Sequence, residues 1–349
     1  MSERAQRPTF LADAVIGAHG HFADWTFNLI AALAARTTDR PVMRIDRFNR
    51  LDFAAEGRPI ILAHYPSSQL IDAIARGDVR VLFLAEPPPL TMRFMRTALH
   101  VPYMDALRSQ TASAVANYVI GRSPHARIVE RDEGRTVDGL LRLLSAHIGL
   151  DLPDPARDAL VVDACGALGP AATVESVLAA SSSFGGLEVM TALDRSDLVC
   201  QEILDPLLAM ARGNPVRPVV WPTEVFTFSD TPEAAPPSAP DIAGPARVLY
   251  YGPYLCLPPA RYRVEVFLVF SNEIKTVPFI IEVHGGSWLA KARIEERQPG
   301  RFRGYFELDH YDATSTVEIR LINETPIDSG RLSLVELAFF IERDLDAFD

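Results

Sequence analysis

Lysine is almost absent from this chain: of 34 basic residues only Lys275 and Lys291 are lysines, so no lysine-dependent step is open to the preceding residues. Arginine supplies the rest of the positive charge, yet the net charge is −11 at pH 7. An acidic chain without a basic stripe excludes a nucleic-acid surface and a polybasic membrane anchor. Cysteine is scarce as well. Cys165, Cys200 and Cys256 follow no Cys-x-x-Cys spacing and read as reduced, buried thiols rather than metal ligands or nucleophiles. No apolar run reaches the roughly 18 residues that a membrane-spanning helix needs. Met1 to Pro8 leads into a strand-like segment without the apolar core of a signal peptide, so the expected location is the cytoplasm. Neither Gly-x-Ser-x-Gly, nor a lysine-bearing phosphate loop, nor a Cys/His nucleophile pair occurs.

What is present is apolar material for two cores: 48% hydrophobic residues, 18 of them phenylalanine, in a chain of 349. That length favours two domains. From residue 13 to about 212, short apolar runs alternate with helical patterns. Ala14 to Ile16, Val42 to Ile45, Ile60 to Ala63, Val79 to Leu84 and Ile128 to Val129 read as strands. Trp25 to Arg36, Ser67 to Arg76, Asp105 to Ile120 and Val137 to Ile148 read as helices. Pro155 to Arg212 reads as helix throughout, with a break at Ser181 to Gly186. This alternation predicts an α/β parallel sheet with flanking helices.

The period then changes to two. Tyr262, Val264, Val266, Leu268 and Phe270 share one face of a strand, and Phe302, Phe306 and Leu308 alternate with Arg303, Tyr305 and Glu307. Turn signals at Gly285-Gly286, Pro299-Gly300 and Asp328-Ser329-Gly330 separate such strands. The expectation is an all-β jelly-roll-like sandwich, opened by Trp221 to Phe228. The boundary is placed near 214, giving domains 1–214 and 215–349, with the Pro-rich 231–245 as a loop or linker.

The segment from Asp13 to Trp25 stands where an α/β nucleotide-binding domain carries its phosphate loop, but it lacks that loop's chemistry. Such a loop needs small residues whose N–H groups converge on the anion, a cation to neutralise it and a hydroxyl to orient it. After Gly17 this chain has His19, Gly20, His21, Phe22 and Asp24 instead. Extended spacing would put His19 and His21 on one side, yet with Asp24 they fall short of the ligands and second-shell partners of a metal centre. Asp24 reads instead as the N-cap of a helix beginning at Trp25. A helix N-terminus can still hold a carboxylate or sulfate through its dipole, which makes Gly17, His19, Gly20 and His21 the candidate anion site. The run Glu130 to Arg135 reads as a solvated turn.

Three segments in order resemble the sulfotransferase family, P-loop-like enzymes that transfer a sulfuryl group from 3′-phosphoadenosine 5′-phosphosulfate. Val15-Ile16-Gly17 leading to Asn28-Leu29-Ile30-Ala31-Ala32-Leu33 is similar to that family's first strand, loop and helix. Ile60-Ile61-Leu62-Ala63-His64-Tyr65-Pro66 followed by Val79 to Pro88 resembles its Lys-x-His-x-Pro strand and the strand ending in Arg-Asp/Asn-Pro. Arg127-Ile128-Val129-Glu130-Arg131-Asp132 with Leu140 to Leu150 is similar to a later strand and helix. The resemblance spans about residues 13–155 and implies that His64 is the general base, a role that suits an imidazole near neutral pKa. It departs where the donor binds. The family's loop cation, hydroxyls and glycine fall on Gly20 to Asp24, its lysine on Leu62 and its 3′-phosphate arginine on Glu86. A carboxylate facing a phosphate costs on the order of 4 kcal/mol per charge pair at 4 Å and an effective dielectric near 20.

In the second half, Gly252-Pro253-Tyr254 with Leu257-Pro258-Pro259-Ala260 and Tyr262-Arg263-Val264 resembles the opening of jelly-roll modules attached to bacterial surface-polysaccharide enzymes. The resemblance covers about 217–343 and implies glycan recognition, with Ala260 in place of the expected glycine. Sugars are gripped by aromatic faces and by charged or amide groups, which Tyr251, Tyr254, Trp288, Arg303, Tyr305 and Glu307 supply. The resulting expectation is a non-catalytic or strongly diverged sulfotransferase-like protein of bacterial surface-polysaccharide or glycoconjugate biosynthesis, without cofactor or metal. Its partners would be a glycan and other biosynthesis proteins. The alternatives are an active group transferase using the sulfuryl donor, with Arg93 or Arg122 holding it and His64 as base, and a structural or oligomerising protein.

Overall fold

Short β-branched runs bounded by turn residues become strands here, and longer runs with helical spacing become the layers that cover them. The structure, a computed structural model, describes residues 10–45, 57–131, 135–181, 195–214, 217–271, 278–295 and 299–345. β1 (Ala12–Gly17) leads to α1 (His21–Thr37), β2 (Val42–Ile45), β3 (Ile60–Ala63), α2 (Ser68–Ala75), β4 (Val79–Ala85), α3 (Pro88–Thr97) and α4 (Tyr103–Gly121). β5 (Ala126–Glu130), α5 (Val137–Ile148), α6 (Asp154–Cys165) and α7 (Val174–Ala180) follow. The five strands pair in parallel in the order β2-β3-β1-β4-β5. β1 and β3 are buried along their whole length, as strands covered on both faces must be.

Asp13 is the one charge inside β1, fully buried. Arg80 Nε donates to its Oδ1 at 2.6 Å, and Arg40 and Arg58 donate to Oδ2. Three guanidinium groups on one carboxylate meet the requirement that a buried charge be paired.

The second half is antiparallel. After α8 (Arg195–Ala211) come β6 (Val219–Pro222), β7 (Thr227–Phe228), β8 (Arg247–Cys256), β9 (Ala260–Phe270), β10 (Pro278–Gly285), β11 (Ser287–Glu295), β12 (Gly300–His310), β13 (Thr316–Asn323) and β14 (Leu332–Asp344). They form one sheet in the order β11-β10-β13-β8-β7 and another in the order β12-β9-β14-β6. The sheets pack face to face: Phe270 meets Phe279 at 5.3 Å between ring centres, and the Tyr250 hydroxyl donates to the Leu332 carbonyl. β9 alternates buried and half-buried residues along its entire length, as expected of a strand with one face in the core. The α/β sheet followed by a β-sandwich agrees with the expected fold class.

Several boundaries differ from expectation. α1 begins at His21, with Gly20 rather than Asp24 as N-cap. α3 starts on Pro88, within the run Pro87–Pro89 that follows β4; proline fits the first helical turn because the N–H it lacks has no partner there. The stretch from 155 to 212 is not one helix: a 3-10 turn at Gly166–Leu168 separates α6 from α7. The expected break at Ser181 to Gly186 lies, beyond Ser181, outside the described residues. Trp221 to Phe228 supplies not one strand but two, β6 and β7, one in each sheet. Residues 231–245 form a loop tied by bridges from Asp241 to Arg331 and Gly244 to Ile327.

Two compact units divide the chain, one of residues 1–101 with 119–192 and one of residues 102–118 with 193–349. Most of α4 thus falls in the second unit, unlike the single boundary expected near 214. Within that unit Arg108 Nε donates to the Pro253 carbonyl at 3.0 Å, and the Cys256 N–H donates to Thr111 Oγ1 at 3.3 Å. All three cysteines are buried and unbridged. Among the described residues no helix is long and apolar enough to cross a membrane.

Candidate functional site

In an open parallel sheet, ligands meet the carboxyl ends of the strands where the order reverses; here that is the end of β1, between β3 and β4. Gly17 closes β1 without room for a side chain: a Cβ would lie 2.9 Å from Ala23 Cβ and 3.1 Å from Leu84 Cβ. Gly20 is tighter still. Its Cβ would fall 2.1 Å from Glu86 Oε2, because the Glu86 carboxylate lies against the first turn of α1, where it accepts from the Phe22 N–H at 3.3 Å.

Glu86 therefore occupies the N-terminus of α1, a position that favours an anion. Its second oxygen accepts from Arg131 Nη1 at 2.6 Å, while Arg131 Nε and Nη2 donate to Glu175 at 2.7 and 2.9 Å. Side-chain exposure is 3% for Glu86 and 4% for Arg131. The helix N-terminus thus receives the negative charge it favours, but from the protein's own chain. Burial pushes the Glu86 pKa up to about 7, against the pull of Arg131. The repulsion expected between Glu86 and a phosphate gives way to occupancy, which excludes an anion from that position by volume as well as by charge.

Arg131 was read as part of a solvated turn; it is instead the cation of the site. Register supplies the missing signal. Ala85 pairs with Glu130, and the Arg131 N–H donates to the Ala85 carbonyl, so Glu86 and Arg131 are the next pair beyond the aligned ends of β4 and β5. Glu175 comes from α7 and has no counterpart in the sequence reading.

His19 and His21 do not share a side, because the helix starts at His21 and turns its side chain away. His21 Nε2 lies 2.8 Å from Ser181 Oγ and its ring stacks near Phe94; burial and then Arg131 lower its pKa. His19 goes the other way and stacks on His64, with ring centres 3.8 Å apart. Burial, then His64, brings His19 down to about 4.

His64 lies one residue beyond the β1–β3 register, which ends at Ile16 and Ala63. Its Nδ1 faces the Gly17 carbonyl at 2.9 Å and therefore carries the proton of that bond, while Nε2 lies 2.8 Å from Asp24 Oδ1. Burial works to raise the Asp24 pKa, yet the hydrogen bond and charge of His64, with His19 and Arg44 nearby, bring it below the ordinary value. Both ring nitrogens of His64 thus have partners inside the protein, Nδ1 the Gly17 carbonyl and Nε2 the Asp24 carboxylate. One donor atom each from His19, Asp24 and His64 lie within 4.8 Å of one another, a set that could hold a metal ion.

The six candidate sugar contacts fall in three places of the second unit. Tyr251 and Tyr254 lie on β8; the Tyr254 hydroxyl donates to Glu318 at 2.8 Å and Arg108 lies over its ring at 5.4 Å. Trp288 is at the start of β11, 62% exposed, with its indole N–H donating to the Ala290 carbonyl. Arg303, Tyr305 and Glu307 share the outer face of the edge strand β12, as their alternation predicted. Tyr305 is 74% exposed and pairs in register with Glu265, Arg303 with Phe267 and Glu307 with Arg263. Arg303 forms an ion pair with Glu265, and the Arg263 guanidinium lies 4.8 Å from the Phe340 ring. Two open grooves of about 480 and 710 Å3, lined by residues such as Arg195, Glu224, Glu202 and Asp205, contain none of the six.

No family model matches the chain, and no curated relative matches it. Among solved structures, TmCBM61 in complex with beta-1,4-galactotriose is 15% identical, with 35% of this chain and 87% of that one covered at a TM-score of 0.24. The carbohydrate-binding module CBM36 in complex with calcium and xylotriose is 13% identical, with 35% and 98% covered at 0.25. The CBM36-1 domain of a multidomain xylanase from the hindgut metagenome of Trinervitermes trinervoides is 10% identical, with 36% and 97% covered at 0.24. Likenesses of this extent carry no functional argument, so the case rests on this chain's own residues.

Proposed function

We propose that this chain is a glycan-recognising protein whose α/β unit is a sulfotransferase-like scaffold that has given up its sulfuryl donor. The reading places it in bacterial surface-polysaccharide or glycoconjugate biosynthesis, through the jelly-roll resemblance at Gly252 to Val264. One observation carries it: Tyr305, 74% exposed, stands on the outer sheet face between Arg303 and Glu307 and pairs in register with Glu265. An exposed phenol ring offers its face to the C–H side of a pyranose, and flanking guanidinium and carboxylate groups match its hydroxyls. The scaffold half of the proposal is supported by Glu86, which fills the anion position at the start of α1.

A polysaccharide and oligosaccharide microarray probed with the full chain tests the proposal. The expected result is selective binding that Tyr305→Ala weakens at least tenfold, about 1.4 kcal/mol, as loss of a central aromatic contact does. A folded chain that binds no glycan, or a Tyr305→Ala variant that binds like wild type, would overturn it.

A further inference from the structure

We propose that His19, Asp24 and His64 bind a divalent transition-metal ion of the zinc type at the mouth of the parallel sheet. His64 is oriented as metal-binding histidines are, with one ring N–H given to a carbonyl so that the other nitrogen offers its lone pair. Gly17 supplies that carbonyl at 2.9 Å, and Nε2 then faces an Asp24 oxygen at 2.8 Å. Two electron-rich atoms at that separation need a cation beside them. A proton would satisfy the pair alone; a metal ion would also engage a nitrogen of His19, which lies within 4.8 Å of the other two donor atoms, once its ring, now stacked on His64, turns toward the ion.

The donor set of two imidazoles and one carboxylate suits zinc and neighbouring first-row metals. A tetrahedral ion with bonds of about 2.0–2.1 Å holds its ligands about 3.3 Å apart. The three donor atoms already lie within 4.8 Å, so side-chain rotation closes the remaining gap. Asp24, with 35% of its side chain exposed, gives the ion a route in and leaves positions for water. By sequence alone His19, His21 and Asp24 are set aside as a metal centre and no metal is expected; the fold brings His64 rather than His21 beside His19 and Asp24, and the β1–β3 register is what delivers it. This proposal does not rest on the glycan reading.

The test uses the full chain, stripped with a chelator, titrated calorimetrically with Zn(II) and followed spectroscopically with Co(II). The expected result is one equivalent bound at micromolar metal, with visible Co(II) bands of a four-coordinate site. His19→Gln and Asp24→Asn should each weaken binding at least about tenfold, while His100→Gln on the surface leaves it unchanged. Both ligand variants should melt like wild type in chelator, which separates lost binding from lost folding. No saturable binding by the folded wild type, or undiminished binding by either folded ligand variant, would overturn the site.

Discussion

Replacing Glu86 with alanine removes the carboxylate that fills the first turn of α1 and takes one of its buried ion pairs from Arg131, which has only 4% of its side chain exposed and keeps Glu175. Breaking a buried ion pair from one side costs about 3–5 kcal/mol. Because Arg131 keeps two hydrogen bonds to Glu175 at 2.7 and 2.9 Å, the low end, about 3 kcal/mol, is the better figure. For a unit of this size each kcal/mol shifts the melting temperature by roughly 2–4 °C, so a fall of about 6–12 °C is expected. The vacated position keeps the Phe22 N–H, the helix dipole and the Arg131 guanidinium, which together suit a tetrahedral anion. Sulfate at a hundred times its dissociation constant would return about 2.7 kcal/mol, nearly the whole loss. The assay is thermal melting of wild type and variant in sodium sulfate against sodium chloride at equal ionic strength. Sulfate also stabilises proteins in general by exclusion from their surfaces, so the wild-type rise is the baseline. An equal rise in both proteins, or a variant that melts like wild type, would refute the claim that Glu86 takes the place of a bound anion.

Two further outcomes follow from the buried charges. The folded pKa of Glu86, about 7, lies above its ordinary value of 4.5, so the native chain keeps a proton that the unfolded chain releases. Wild type should therefore lose stability relative to Glu86→Gln as pH rises from about 4.5 to 7, by up to about 3 kcal/mol; urea titrations across that range, showing no difference in slope, would contradict it. Asp13→Ala strands three arginines around a fully buried position and should cost about 3–5 kcal/mol. Asp78→Ala breaks only the exposed pair with Arg76 and should cost under about 1 kcal/mol, a contrast that denaturation midpoints measure directly.

Much of the fold was legible because hydrophobic period is a direct record of burial. Ile60 to Ala63 is a continuous apolar run and Val42 to Ile45 is apolar but for Arg44, and the structure makes each a strand over the same residues. The two-residue alternation from Tyr262 to Phe270 likewise marks the core face of β9. Where one residue type serves opposite purposes, the pattern failed. Pro87 to Pro89 ends a strand and also begins α3, and only the second use needs the following turn to be known. α4 is buried on nearly all sides from Ser113 to Ile120, so its apolar residues gave no sign that most of it falls in the second unit.

The candidate site was legible at single positions but not as pairs. Gly17 stood out as the end of the strand that leads into a phosphate loop, and Gly20 and Glu86 as departures from that loop's chemistry, yet no sequence pattern named a partner for Glu86. Its partners, Arg131 and Glu175, come from β5's end and α7, and register and tertiary packing deliver them. The spacing of His19 and His21 suggested a shared side; the helix start at His21 separates them, and His64 arrives from β3 instead. In the sandwich the alternation placed Arg303, Tyr305 and Glu307 on one face. It had no means to show that Tyr254 is covered by Arg108 while Tyr305 is exposed.

On the proposed function, the exposed face around Tyr305 binds glycan and the cleft at the end of β1 takes no donor nucleotide. Calorimetric titration of one full-length preparation tests both halves, first with 3′-phosphoadenosine 5′-phosphate and then with the best glycan from the microarray. The predicted result is no heat from the nucleotide and saturable heat from the glycan that Tyr305→Ala reduces at least tenfold. Micromolar nucleotide binding, or glycan binding indifferent to Tyr305→Ala, would contradict it.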